Sequence, residues 1–73
     1  MKIKGDKPFT TPTHSFAIGE CESEYTLCYS VDGNNWTAYD EATPSGETAI
    51  VNFGIPNLLY KLSGATGDIL IQY

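Results

Sequence analysis

Large apolar side chains recur at every second position in short runs along this chain, and each run is closed by glycine, proline, asparagine or aspartate. No other feature constrains the fold as much. A strand points successive side chains to opposite faces, so a period of two gives one apolar face; a helix would spread the same residues around its circumference. The closing residues, 58–73, show the pattern twice. Leu58, Tyr60 and Leu62 alternate with Leu59 and Lys61, and Ile69, Ile71 and Tyr73 alternate with Leu70 and Gln72. The glycine-bearing residues 63–67 between them predict a final hairpin.

The same grammar runs upstream. In residues 25–31, Tyr25, Leu27, Tyr29 and Val31 share one face, and Thr26, Cys28 and Ser30 share the other. Asp32-Gly33-Asn34-Asn35 is strong turn chemistry, and residues 36–39 return, which is the clearest hairpin in the chain. Residues 15–19 form a short strand and the acidic residues 20–24 a turn. Residues 40–46 are a loop. Residues 47–53 are a strand with Ala49, Val51 and Phe53 on one face and Ile50 on the other, stopped by Gly54 and Pro56. Together these predict an all-β chain: an antiparallel, Ig-like or jelly-roll-like sandwich of about six short strands spanning 16–73. The expected core is Phe16, Ile18, Leu27, Tyr29, Val31, Trp36, Ile50 or Val51, Phe53, Leu58, Tyr60, Leu62, Ile69 and Ile71. Residues 1–15, with Pro8 and Pro12, read as an extended arm or an edge strand anchored by Ile3 and Phe9.

Seventy-three residues make one domain with a small core, for which stability of about 3–5 kcal/mol is expected. Two cysteines allow at most one disulfide, leaving docking or self-association as the natural added support. Cys21 and Cys28 would face each other if residues 16–21 and 25–31 paired. The N-terminal residues lack the apolar run of a signal peptide, so synthesis in the cytoplasm and free, buried thiols are expected. No stretch is long and apolar enough for a membrane span. Lys2, Lys4 and Lys7 against Asp6 leave the first seven residues at +2; Lys61 against eight acids leaves the rest at −7. An acidic body disfavours nucleic acid, and the basic tip suits an acidic surface.

Little here assembles into a catalytic site. His14 is the only histidine and arginine is absent, so no enzyme and no cofactor are expected. The spacing of His14, Cys21 and Cys28 does not fit a structural zinc site, and no metal is expected. Asp32, Asn34 and Asn35 offer calcium-type oxygens, but turn propensity explains them equally. Trp36 with Tyr25, Tyr29, Tyr39, Tyr60 and Tyr73 reads as core rather than as a sugar-stacking platform, because a small domain needs its largest apolar surfaces inside. Asn35-Trp36-Thr37 matches a glycosylation sequon.

Residues 29–39, YSVDGNNWTAY, resemble the hairpin of discoidin-like carbohydrate- and surface-binding domains. Across more of the chain, the short arm, that hairpin, TAIVNF and the closing YKLSGATGDILIQY resemble small virion proteins of tailed phages of gut Bacteroidetes-type hosts. That resemblance implies a capsid decoration or auxiliary protein, or part of a head fibre or tail. It implies a virion location, many copies, an arm laid on neighbours and other virion proteins, the major capsid protein foremost, as partners. Contacts are expected at Lys2, Lys4, Lys7 and Phe9. The first alternative is a carbohydrate- or cell-surface-binding module using Asp32, Asn34, Asn35, Trp36 and Tyr39. The second is a small inhibitor that adds an edge strand to an enzyme.

Overall fold

The hairpin expected around residues 32–35 forms. β3 (Thr26–Ser30) returns as β4 (Thr37–Ala38), with Tyr29 opposite Thr37 and Cys28 opposite Ala38. β3 also pairs, along its whole length, with β6 (Leu59–Ser63), placing Leu27 opposite Leu62 and Tyr29 opposite Tyr60. This computed structural model describes residues 1–39, 42–52, 55 and 58–73. The second sheet contains β1 (Lys2–Lys4), β7 (Asp68–Gln72), β2 (Phe16–Ile18) and β5 (Ala49–Val51), in that order. All pairings are antiparallel, and the described residues contain no helix. The chain is an all-β protein of two antiparallel sheets, as a small sandwich requires.

The core lies between the sheets. Period-two alternation turns Phe16, Ile18, Val51, Ile69 and Ile71 inward from one sheet and Tyr60 and Leu62 from the other, with Leu27 and Tyr29 packed against them. Tyr60 has no exposed surface. Its ring meets Phe16 at 5.0 Å, Phe9 at 5.8 Å and Tyr39 at 6.5 Å between centroids. Its hydroxyl accepts from the Ile55 N–H at 2.8 Å and donates to the Ile55 carbonyl at 3.3 Å. Such edge and offset contacts add about 0.5–1.5 kcal/mol per pair beyond burial.

Several expectations are corrected. Residues 58–73 are not a hairpin: β6 and β7 lie in different sheets, and residues 64–67 are a corner between them. Gly64 and Gly67 hold positive φ there, and buried Ala65 plugs the corner beneath Gly5. Residues 16–21 and 25–31 likewise belong to opposite sheets, so Cys21 and Cys28 do not face each other; both are free and buried. Val31 is 87% exposed because the chain leaves the sheet at Ser30. Of Ile50 and Val51, Val51 is inside and Ile50 is 70% exposed. Trp36 lies outside the core cluster. Phe53 lies outside the described residues. Of the two readings of the first fifteen residues, the edge strand holds and the free-standing arm does not, with Ile3 and Phe9 as its buried anchors. β1 pairs with β7, and Phe9 exchanges two backbone hydrogen bonds with Tyr60, at 2.9 and 2.8 Å.

Three substitutions check this packing by chemical denaturation. A Cβ on Gly5 would sit 2.5 Å from the Ala65 carbonyl oxygen, so Gly5→Ala is expected to destabilise by about 1–3 kcal/mol. Tyr60→Phe strands the Ile55 N–H and is expected to cost about 1–2 kcal/mol. The Tyr25 hydroxyl is buried beside the Thr43 side chain, with no hydrogen bond of good geometry among the described residues, so Tyr25→Phe is expected to stabilise by about 1 kcal/mol. A Tyr25→Phe chain less stable than wild type would show that the hydroxyl is bonded in solution.

Candidate functional site

Antiparallel stacking of these strands sorts the surface into two unlike ends. At one end lie the connections from β2 to β3 and from β6 to β7, with the residues after β1 and before β5. Gly46 N–H donates to the Cys21 carbonyl and Gly5 N–H to the Gly67 carbonyl, each at 2.8 Å. The Ser23 hydroxyl reaches the Gly64 carbonyl at 2.9 Å. Asp6, Glu20, Glu22, Glu24 and Glu47, on exposed connections, and exposed Asp68, the first residue of β7, all fall here. The end opens into a cleft of about 580 Å³ whose wall includes Glu20, Glu22 and Asp68. Cys21 also borders it. Burial pushes the Cys21 thiol up, but hydrogen bonds led by the Ser23 backbone outweigh that and leave it below its ordinary value.

The opposite end carries most of the exposed large hydrophobic side chains among polar loop residues. It gathers residues 31–35, Asn52, Ile55 and Leu58, and both ends of the given chain, and there Met1, Val31, Ile55 and Tyr73 are exposed. These are four of the six large hydrophobic side chains exposed among the described residues; the other two, Ile50 and Leu70, lie on the outer face of the four-stranded sheet. Alternation explains that face. Ile69 and Ile71 point in, so Leu70 points out, and Val51 points in, so Ile50 points out.

The expected contact residues separate. Lys2, Lys4 and Lys7 are exposed, and Lys4 Nζ stands 3.3 Å from Asp68 Oδ1. So exposed a pair adds little to stability. Phe9 is 7% exposed and packed against Phe16 and Tyr60, so it belongs to the core and adds little to the surface. Deleting residues 1–9 would therefore remove core side chains along with any contact surface.

The residues of the carbohydrate alternative are not brought together either. Trp36 and Tyr39 lie on opposite faces of the β4 ribbon. Tyr39 packs on Tyr29 at 4.7 Å and faces Tyr60; burial first, then those two rings, pushes its pKa up. Trp36 is on the outer face, where Lys61 Nζ sits 4.7 Å over its ring. Asp32 is an internal staple. Its Oδ1 accepts from the Ser30 hydroxyl and the Asn34 and Asn35 amides at 2.8–2.9 Å, and its Oδ2 accepts from Asn35 Nδ2 at 2.9 Å. A carboxylate so engaged has little left for calcium. Among the described residues no group of three or more His, Cys, Asp or Glu side chains is placed to hold a metal ion.

Comparison with protein-family models, curated proteins and solved structures finds no match to this chain.

Donors around Asp32, the Asn35 and Asn34 amides first, hold its carboxyl well below the usual range. A depressed carboxyl stabilises the fold above its unfolded pKa of about 4 and loses that contribution as pH falls toward its folded value. Asp32→Asn should therefore melt below wild type at pH 7, with the difference shrinking by pH 2. An equal deficit at both pH values would show that the loop does not depend on the charge.

Proposed function

We propose that this chain is a non-catalytic structural module acting in many copies by protein–protein docking, and that its setting is a phage particle, as an auxiliary or decoration protein of the capsid. The observation that carries the docking reading is the sorting of the surface: exposed Met1, Val31, Ile55 and Tyr73 at one end, six carboxylates at the other. Several large apolar side chains exposed at one end suit an interaction site, and so small a domain has little apolar surface to spare. A partner that binds only the folded form adds to its stability by mass action. Lys2, on the apolar end of β1, supplies a positive charge beside that surface. The phage setting rests on the overall style of the sequence, and the two-faced body is compatible with it: the apolar end seats on a shell while the acidic end faces solvent. Repetition over a lattice lets weak single contacts suffice.

Gradient sedimentation of particles from the source, with mass spectrometry of each fraction, tests this. The chain is expected to travel with the particles in many copies. Recombinant chain is expected to rebind stripped particles, and Val31→Asp with Ile55→Asp should abolish rebinding while leaving circular dichroism unchanged. Recovery as a free 8.0 kDa monomer would overturn the reading. So would an equimolar complex with a soluble enzyme, or glycan binding that Trp36→Ala removes.

A further inference from the structure

Of the four sheet edges, three are guarded. β1 carries Lys2 and Lys4, and the Lys4 carbonyl already accepts from the Lys7 N–H at 3.1 Å. β4 is two residues long. The outer side of β6 is taken by Phe9 through both Tyr60 backbone bonds. Charges, shortness and covering segments are the usual means of keeping an edge from pairing. β5 has no lysine or proline and, among the described residues, no covering strand, and residues 48–52, Thr-Ala-Ile-Val-Asn, carry no charge.

The direction of its backbone groups follows from the neighbouring ladders. Gly19 N–H donates to the Leu70 carbonyl, so Gly19 and Ala17 face β7, while Phe16 and Ile18 face β5 and bond Val51 and Ala49. On β5 this leaves the N–H and C=O of Ile50 pointing away from the sheet.

We propose that β5 is the edge along which two copies of this chain pair, antiparallel, about a two-fold axis at Ile50. The register is self-complementary. Ile50 meets Ile50 of the second copy and exchanges two backbone hydrogen bonds with it. Ala49 meets Val51 on the inner side, and one step further Thr48 meets Asn52. On the outer face the apolar groove of about 230 Å³ bounded by Leu70, Ala17 and Ile50 runs on across the seam into its counterpart. The antiparallel sense also sets the acidic end of one copy beside the apolar end of the other, keeping like carboxylates apart; parallel pairing would align them. The seam is far smaller than a standard interface of about 1,600 Å², so the association is weak and gains its effect where copies are concentrated. It does not depend on which surface the apolar end docks on.

The experiment is analytical ultracentrifugation from about 10 μM to about 1 mM, a window that spans weak association, with amide exchange followed by NMR at both limits. The mean mass is expected to climb from 8.0 kDa toward twice that value. Exchange at the Ile50 amide is expected to slow with concentration, while the amides of Ala49 and Val51, already bonded within the sheet, change little. Ile50→Lys should remove the concentration dependence, and Leu70→Lys, on the same face but off the edge, should keep it. A constant 8.0 kDa mass, association that survives Ile50→Lys, or an Ile50 amide indifferent to concentration would overturn the proposal. If Ile50→Lys fails to fold, the wild-type Ile50 amide decides alone. Particle binding retained by Ile50→Lys separates failure here from failure of the docking reading.

Discussion

The Tyr60 side chain holds the structure together. It is wholly enclosed, its ring touches aromatic rings from three other segments, and its backbone clamps Phe9 while its hydroxyl clamps Ile55. Segments far apart in the chain therefore meet on one residue of β6. In a domain of this size, where a few kcal/mol separate folded from unfolded, that convergence makes the N-terminal residues part of the body. The sheet containing β1 is locked to the opposite sheet through Phe9, which leaves lysines, and no loose arm, on the surface.

That economy shapes what the surface can do. The aromatic residues are mostly spent inside, and the one outward indole is capped by Lys61. What remains outside is sorted by the ends of the strands: acidic connections at one end, apolar side chains at the other, and a bare edge at β5. Under the docking reading proposed above, such surfaces would suit a protein whose marginal core profits from neighbours. An end-on contact and a side-by-side contact use different residues, so a lattice of copies can employ both.

The candidate site was partly legible. Period two alone placed Ile50 opposite Val51, and so outside, once the sheet had a single inner face. The turn chemistry of Asp32 through Asn35 was read correctly as a turn, and the carboxylate bonds show why calcium is unnecessary to it. The apolar end was not legible, because Met1, Val31, Ile55 and Tyr73 are scattered along the chain and come to one end only when the strands are stacked. Phe9 misled for the opposite reason: a lone aromatic in a Pro- and Thr-rich stretch looks like an anchor for a partner until Tyr60 takes it.

By itself the sequence determined the strand period, the Asp32–Asn35 hairpin and the all-β class, because these depend on φ/ψ preferences and on which side chains share a face, both local properties. Only the tertiary structure decided that residues 64–67 form a corner between sheets instead of a hairpin within one. Glycines at positive φ serve both shapes. The choice fell to β1 and β2, which pair with β7, and to β3 and Phe9, which pair with β6. Strand partnership is a competition among distant segments for the same backbone groups, and no local pattern records who wins it.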